Sequence, residues 1–252
     1  MNLKRSLLLT STVLFIASCG GGGSDDGNNE GNNSSSGSST QEAAGIYTGT
    51  INYTANSDVG QTSDSLVGFV APSGTVAFLS ENLGSITIGD ITIADDGSFT
   101  GSGTEYDTSG ASYGSGTVSG DYGSANQTLS GSSFDNSGTK LSDYNLNYDT
   151  QTSDVGASFN QIVGSYDSGE INIDSSGNIN VDDGGTCQGT GSITIPDSGL
   201  NLYRFTVTLN GGGGCDAPDG SYDGYMSLVD GSLIYLLYND NLAAYFELQS
   251  TR

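Results

Sequence analysis

From Ala43 onward, apolar residues recur at alternate positions in short runs separated by turn-forming residues. That period of two predicts half-buried β-strands. Ile46-Tyr47 and Ile51-Asn52-Tyr53 open the first strand, and Leu66 to Leu79 gives two apolar runs about Pro72-Ser73-Gly74, a hairpin signal. Ser85-Ile86-Thr87-Ile88-Gly89-Asp90-Ile91-Thr92-Ile93 reads as a hairpin about a two-residue Gly-Asp turn, which puts all four isoleucines on one face. A mid-strand glycine bulge is the alternative. Phe99 to Phe134 is rich in Gly and Ser, with single large residues at Tyr106, Tyr113, Tyr122 and Leu129. This spacing suits strands that curve sharply or pack closely.

Tyr144, Leu146 and Tyr148 alternate again, and the second half is more regular. Ile171 and Ile173 face Ile179 and Val181 across the turn Asp174 to Asn178, and Ile193 and Ile195 precede Pro196-Asp197-Ser198-Gly199. Tyr203, Phe205, Val207 and Leu209 form one apolar face, with Arg204, Thr206 and Thr208 on the other. Tyr222 to Leu228 continues the pattern, and the unbroken apolar run Leu233 to Tyr238 predicts a strand covered on both faces. Leu242, Ala244, Phe246 and Leu248 point inward on the last strand. No stretch has a helical period. The expectation is an all-β fold of roughly ten to fourteen short strands, an antiparallel meander β-barrel with a two-sheet β-sandwich as the alternative. The barrel is preferred because closure removes exposed strand edges.

Gly45-Ile46-Tyr47, Gly164-Ser165-Tyr166 and Gly220-Ser221-Tyr222 recur at strand starts. They hint at two similar halves, near 43–150 and 155–252, within a domain spanning 43–252.

The first 42 residues differ in kind. Met1 to Arg5 is a basic n-region, and Leu7 to Ile16 is an apolar stretch of signal-peptide length. Ile16-Ala17-Ser18-Cys19 resembles the lipobox of bacterial lipoproteins, in which the cysteine sulfur receives diacylglycerol and the new amine is acylated. A plain signal peptide that happens to contain Cys19 is the alternative. The resemblance implies a signal peptide over 1–18 and attachment to the membrane through an N-terminal lipid. Gly20 in the next position implies sorting to the outer membrane, on its periplasmic or surface face. Residues 19–42 are mainly Gly, Ser, Asn and acidic residues, a flexible tether of roughly 25 Å end to end.

Only Lys140, Arg204 and Arg252 lie beyond that signal, against all 29 acidic residues of the 252-residue chain. Such a field repels nucleic acid and anionic lipid and favours cations, so no nucleic-acid partner is expected. Lipidation of Cys19 leaves Cys187 and Cys215. The register about Pro196–Gly199 places Cys187 opposite Leu209 or Asn210, and the glycines 211–214 let Cys215 return to it. In an oxidising compartment a disulfide is the expected state. A redox pair or metal ligands is the alternative.

The chain has no histidine, which removes Ser-His-Asp and Cys-His catalysis and His-based metal ligation. Gly110-Ala111-Ser112-Tyr113-Gly114 fits Gly-x-Ser-x-Gly but lacks the strand-turn-helix setting and a base. Paired carboxylates suffice for glycoside hydrolysis, but nothing singles out two among 29. Asp216, Asp219 and Asp223 are the best Ca²⁺ candidates, followed by Asp182 and Asp183, since Ca²⁺ takes oxygen ligands from loops. Asp-Gly is equally the chemistry of hairpin turns. No catalytic residues and no other cofactor are expected.

Gly164-Ser165-Tyr166, Ile171-Asn172-Ile173-Asp174, Gly177-Asn178-Ile179, Cys187-Gln188-Gly189-Thr190-Gly191, Leu202 to Val207 and Gly220 to Gly224 occur in that order. With the lipobox, this resembles a widespread group of proteobacterial lipoproteins that has no established activity. The resemblance covers about 160–250 well and the first half loosely, and it implies a β-fold and nothing catalytic. The expectation is a lipid-anchored envelope protein, a non-catalytic ligand-binding or accessory module. A structural or adhesion protein is the alternative and a carboxylate-based hydrolase the third reading. A tyrosine-lined concavity favours the first, a filled interior the second.

Overall fold

The computed structural model describes residues 42–249 except 213 and 216. Cys19, the signal and tether up to residue 41, and Asp216 lie outside the described residues. The remainder is all-β and antiparallel, as the alternation requires, in two sheets within each of which consecutive strands pair.

The first eight strands are β1 (Gly45–Tyr53), β2 (Ser63–Val70), β3 (Thr75–Ser80), β4 (Ser85–Ile93), β5 (Ser98–Tyr106), β6 (Ser112–Gly123), β7 (Thr128–Asp135) and β8 (Lys140–Tyr148). They form a closed barrel, completed by β1 against β8 from Tyr47↔Tyr148 to Tyr53↔Ser142. Two single-turn helices follow, α1 (Thr150–Ser153) and α2 (Phe159–Ile162). A second meander comprises β9 (Gly164–Tyr166), β10 (Ile171–Ile173), β11 (Asn178–Asp182), β12 (Gln188–Thr194), β13 (Tyr203–Asn210), β14 (Gly220–Val229), β15 (Ser232–Asn239) and β16 (Leu242–Gln249). It is an open eight-stranded sheet, and residues from both its ends and from α2 meet in one apolar cluster, so it is curled.

Sixteen strands replace the ten to fourteen expected. The surplus comes from β5 to β7, whose inward positions are mostly glycine or serine, and from β9, only three residues long, whereas β10 and β11 form the hairpin expected about Asp174–Asn178. The helices were also invisible to periodicity, because four residues make only about one turn.

The hairpin expected at Ser85–Ile93 is instead one continuous strand, and this corrects the placement of its isoleucines. Successive side chains on a strand point to opposite faces. Ile91 and Ile93 therefore enter the barrel interior with Tyr47, Val70, Phe99 and Leu146. Ile86 and Ile88 lie on the outer face, in a cluster with Phe69, Tyr225, Leu236 and Ala243. Gly89 sits mid-strand because its position has no room for a side chain: a Cβ there would lie 2.1 Å from the Ser102 carbonyl oxygen. Gly120 is in the same situation against the Ser130 carbonyl oxygen, also at 2.1 Å. The glycine content is the steric requirement of a narrow, strongly coiled barrel.

Three apolar clusters result. One fills the barrel. One covers the inner face of the second sheet, where Tyr203, Phe205, Val207 and Leu209 all lie as the alternation predicts. The third joins the outer face of the barrel to β14–β16. β15 serves two of them, with Leu233 and Leu237 in the sheet core and Leu236 in the joining cluster, so its unbroken apolar run is covered on both faces. Each such buried Leu or Ile stabilises by about 1.5–3 kcal/mol.

The three Gly-x-Tyr repeats share one local structure. Gly45, Gly164 and Gly220 have φ of 151°, 154° and 154°, values that favour glycine. Tyr47, Tyr166 and Tyr222 each donate their hydroxyl to the carbonyl four residues earlier, on Ala43 at 2.8 Å, Ile162 at 2.7 Å and Pro218 at 2.7 Å. Each repeat is thus a bend pinned by a buried tyrosine, comparable to the tyrosine corner of β-sandwiches.

Candidate functional site

Both β-bodies are filled, so the concavity to consider lies between them. A cleft of about 980 Å³ is bounded by β3–β6 on one wall and β13–β15 on the other. Strand pairing explains what each wall presents. Thr75, Asp90, Ser102 and Thr117 are register partners in turn across β3, β4, β5 and β6. They form one row of outward side chains, all four lining the cleft. On the other wall Thr206, Asp223 and Tyr238 are register partners across β13, β14 and β15, and they line it as well. Each row therefore carries one carboxylate among hydroxyls. These are the polar positions that alternate with the two cores, so burying Phe205 and Val207 on one face delivers Thr206 to the other.

The carboxylates are partly engaged. Thr75 donates to Asp90 at 3.0 Å, and Arg204 donates to Asp223 at 3.2 Å as an exposed ion pair. Hydroxyl pairs Thr104–Ser115 and Thr208–Ser221 stand beside them at 3.1 and 2.9 Å. Tyr106 crosses between the bodies, donating its hydroxyl to the Asn239 carbonyl at 3.3 Å. The Tyr238 hydroxyl makes no hydrogen bond to another described residue. Burial first, then Tyr225, Asp223 on its own wall and Asp90 on the opposite one, push its pKa up to about 12, so it is a phenol donor at physiological pH.

The walls are held by contacts that nothing in the sequence advertises. Phe69 and Tyr225 place their ring centroids 4.7 Å apart. Ser153, fully buried in α1, accepts from the Ile46 amide at 2.8 Å. Asn201, 1% exposed, donates to the carbonyls of Thr152 at 3.0 Å and Leu228 at 2.8 Å, and accepts from the Leu228 amide at 3.1 Å. Together they fasten α1 to β1 on one side and to β14 on the other. Short polar residues in linkers carry no pattern that would single them out.

The expected staple is present. Cys187 and Cys215 form a disulfide with Cα atoms 4.6 Å apart, joining the two ends of the β12–β13 hairpin. Gln188 pairs with Asn210, which puts Cys187 one position beyond the register expected. Asp219 closes the adjoining loop by accepting from the amides of Gly211 at 2.7 Å and Gly212 at 3.0 Å.

The Ca²⁺ candidates are separated by their partners. Asp219 is committed to that loop, while Asp223 faces Arg204 in the cleft. Asp182 and Asp183 accept backbone amides of Gly184, Gly185 and Cys187 in their own turn. No group of three metal-ligating side chains occurs among the described residues. The acid content has a visible local use instead. Asp107, Asp135 and Asp174 each open a turn whose fourth residue is a glycine of φ 80–83°, and each accepts the amides two and four residues on. Hydrogen bonds from Ser109, Ser137 and Asn178 hold these three carboxyls below the ordinary range. Ser112 of Gly-Ala-Ser-Tyr-Gly begins β6 beyond one such turn, in a hairpin, so the strand-turn-helix setting of a nucleophile elbow is missing.

Among the described residues one carboxylate is buried. Asp64, 4% exposed, accepts from Ser80 Oγ at 2.6 Å, from the amides of Ser65, Asn82 and Leu83 at 2.7–3.1 Å, and from the Asn82 side chain. Burial pushes its pKa up, but these donors outweigh burial and the net displacement is downward. Asp64 is an ionised brace for the β3–β4 turn and has the wrong titration for a general acid.

The chain matches no family model, no curated protein and no solved structure.

Proposed function

We propose that this is a lipid-anchored envelope protein whose β-domain is a non-catalytic ligand-binding module, with the cleft between barrel and second sheet as its site. The single observation behind this reading is the cleft itself. Polar rows from two bodies face one another across a cleft of about 980 Å³, bordered by Tyr106 and Tyr238, within the volume range of ligand sites. The filled barrel interior moves the site outside the barrel. The lipobox at Cys19 and the acidic tether supply the attachment, and the disulfide fits an exported chain. The structural or adhesion reading rests on the filled cores and leaves the cleft without a use.

Two measurements test the proposal. Mass spectrometry of the N-terminal peptide is expected to find diacylglycerol and an amide-linked acyl chain on Cys19, and Cys19→Ser to release the protein from membranes. An unmodified cysteine overturns the anchor. A thermal-shift screen of the full chain against fractionated envelope extracts is expected to find a stabilising fraction whose effect is lost in the cleft-filling variant Thr206→Trp. No stabilising fraction, or one that acts equally on Thr206→Trp, overturns the binding module.

A further inference from the structure

The chemistry of the two walls narrows what the cleft accepts. A ligand bearing phosphate, sulfate or carboxylate meets Asp90, Asp223 and Asp240 across the opening, and the cation beside them, Arg204, is already paired with Asp223. Anions are thereby disfavoured. For a small cation, Asp223 is already paired with Arg204, and no group of three metal-ligating side chains occurs among the described residues. What remains is a surface of hydroxyls that both donate and accept, with carboxylate oxygens that only accept.

The arrangement is periodic. Thr75, Asp90, Ser102 and Thr117 stand on four adjacent strands, about 4.8 Å apart, so that the row spans about 14 Å. That step is close to the length of one pyranose unit in an extended chain. Thr206, Asp223 and Tyr238 give the same step on the opposite wall. Asp90 holds one hydroxyl donor, Thr75, and keeps lone pairs for others. Tyr238 lines the cleft with its ring packed against the joining cluster, and its phenol is an unengaged donor among the described residues.

We propose that the cleft binds a neutral oligosaccharide, running across the strands of β3–β6 and clasped between Asp90 and Tyr238. The proposal rests on the cleft being the ligand site and names the ligand class for it. Recognition of this kind is built from many neutral hydrogen bonds and is little affected by salt, unlike binding of a charged ligand.

Calorimetric titration of the full, detergent-solubilised chain separates the outcomes. The probes are cellohexaose, maltohexaose and chitohexaose as neutral chains, spermidine as an organic cation and oligogalacturonate as an anion. The expected result is binding of at least one neutral hexasaccharide, changing less than about twofold between low and high salt. Tyr238→Ala is expected to weaken it about tenfold or more and Asp90→Asn several-fold, while Ser130→Ala on the far side of the barrel leaves it unchanged. Melting curves confirm that each variant is folded. Spermidine binding that collapses with salt, with no neutral chain bound, overturns the saccharide while keeping the cleft as a site. Saccharide binding that survives both cleft substitutions overturns the placement. Binding of none of the five probes overturns the saccharide proposal, and the Thr206→Trp thermal-shift comparison then decides separately whether the cleft binds at all.

Discussion

Phe69 on the outer face of the barrel and Tyr225 on the second sheet lie ring against ring, centroids 4.7 Å apart and tilted by 45°. Above them the Ser73 hydroxyl approaches the Tyr225 hydroxyl at 3.5 Å. The pair is the aromatic centre of the cluster that joins the two bodies, so it sets the separation of the cleft walls. Phe69→Leu and Tyr225→Leu should each destabilise by about 1–3 kcal/mol. In a double-mutant cycle they should show a coupling of about 0.5–1.5 kcal/mol. Urea denaturation of the four proteins measures it, and a coupling near zero would mean that the rings do not pack.

Asp64 gathers its donors around one carboxylate, so removing it leaves the Ser80 hydroxyl and the part-buried amides of the β3–β4 turn without their acceptor. Asp64→Ala should cost about 2–4 kcal/mol, and Asp64→Asn less. Its folded pKa is depressed, so its stabilisation is present above the unfolded carboxyl value of about 3.9 and is lost as pH falls through the folded value. Wild type should therefore lose stability below about pH 4 by more than Asp64→Asn does, measured by denaturant unfolding against pH.

The tyrosines set the opposite limit. Burial raises the pKa of Tyr47 and Tyr144, and pushes Tyr148 and Tyr238 up to about 12. Unfolded tyrosines ionise near 10. A raised folded value means that the stabilisation is complete below about pH 10 and is lost as pH climbs toward the folded values. Stability should stay level into mild alkali and then fall steeply, with ionisation of these four rings, followed ring by ring by NMR, accompanying unfolding. Ionisation of any of the four near pH 10 in a still-folded protein would contradict its burial.

The disulfide closes a span of 28 residues, worth about 3–4 kcal/mol on the loop-entropy account. Cys187→Ser/Cys215→Ser should lower the unfolding midpoint accordingly, and reductant should lower wild type to the same level but leave the double variant unmoved. Equal midpoints for oxidised and reduced wild type would remove the staple from the account.

How much of this was legible follows from what each residue must satisfy. Tyr203 to Leu209 and Leu242 to Leu248 alternate because one face is buried and the other polar, so their inward sets could be written down directly. Leu233 to Tyr238 showed its double coverage as an unbroken run. Ser85 to Ile93 was misleading because Gly89-Asp90 meets the chemistry of a tight turn and equally that of a coiled strand with no space for a Cβ. In β5–β7 the glycines that the barrel demands erase the alternation that reveals strands. The cleft was invisible for a different reason. Asp90 and Asp223 are ordinary polar strand positions until two separate bodies bring their rows face to face, and the joining residues Ser153 and Asn201 are short polar groups in linkers.

Site-resolved amide hydrogen exchange on the full chain, with and without a bound neutral hexasaccharide, reads directly where the ligand sits. Binding in the cleft should add protection in β4–β6 and β13–β15, centred on Asp90, Ser102, Thr206 and Asp223, and leave the rest of the barrel and β9–β12 unchanged. Protection centred on β7–β8 or β9–β12, with none at these four residues, would contradict it.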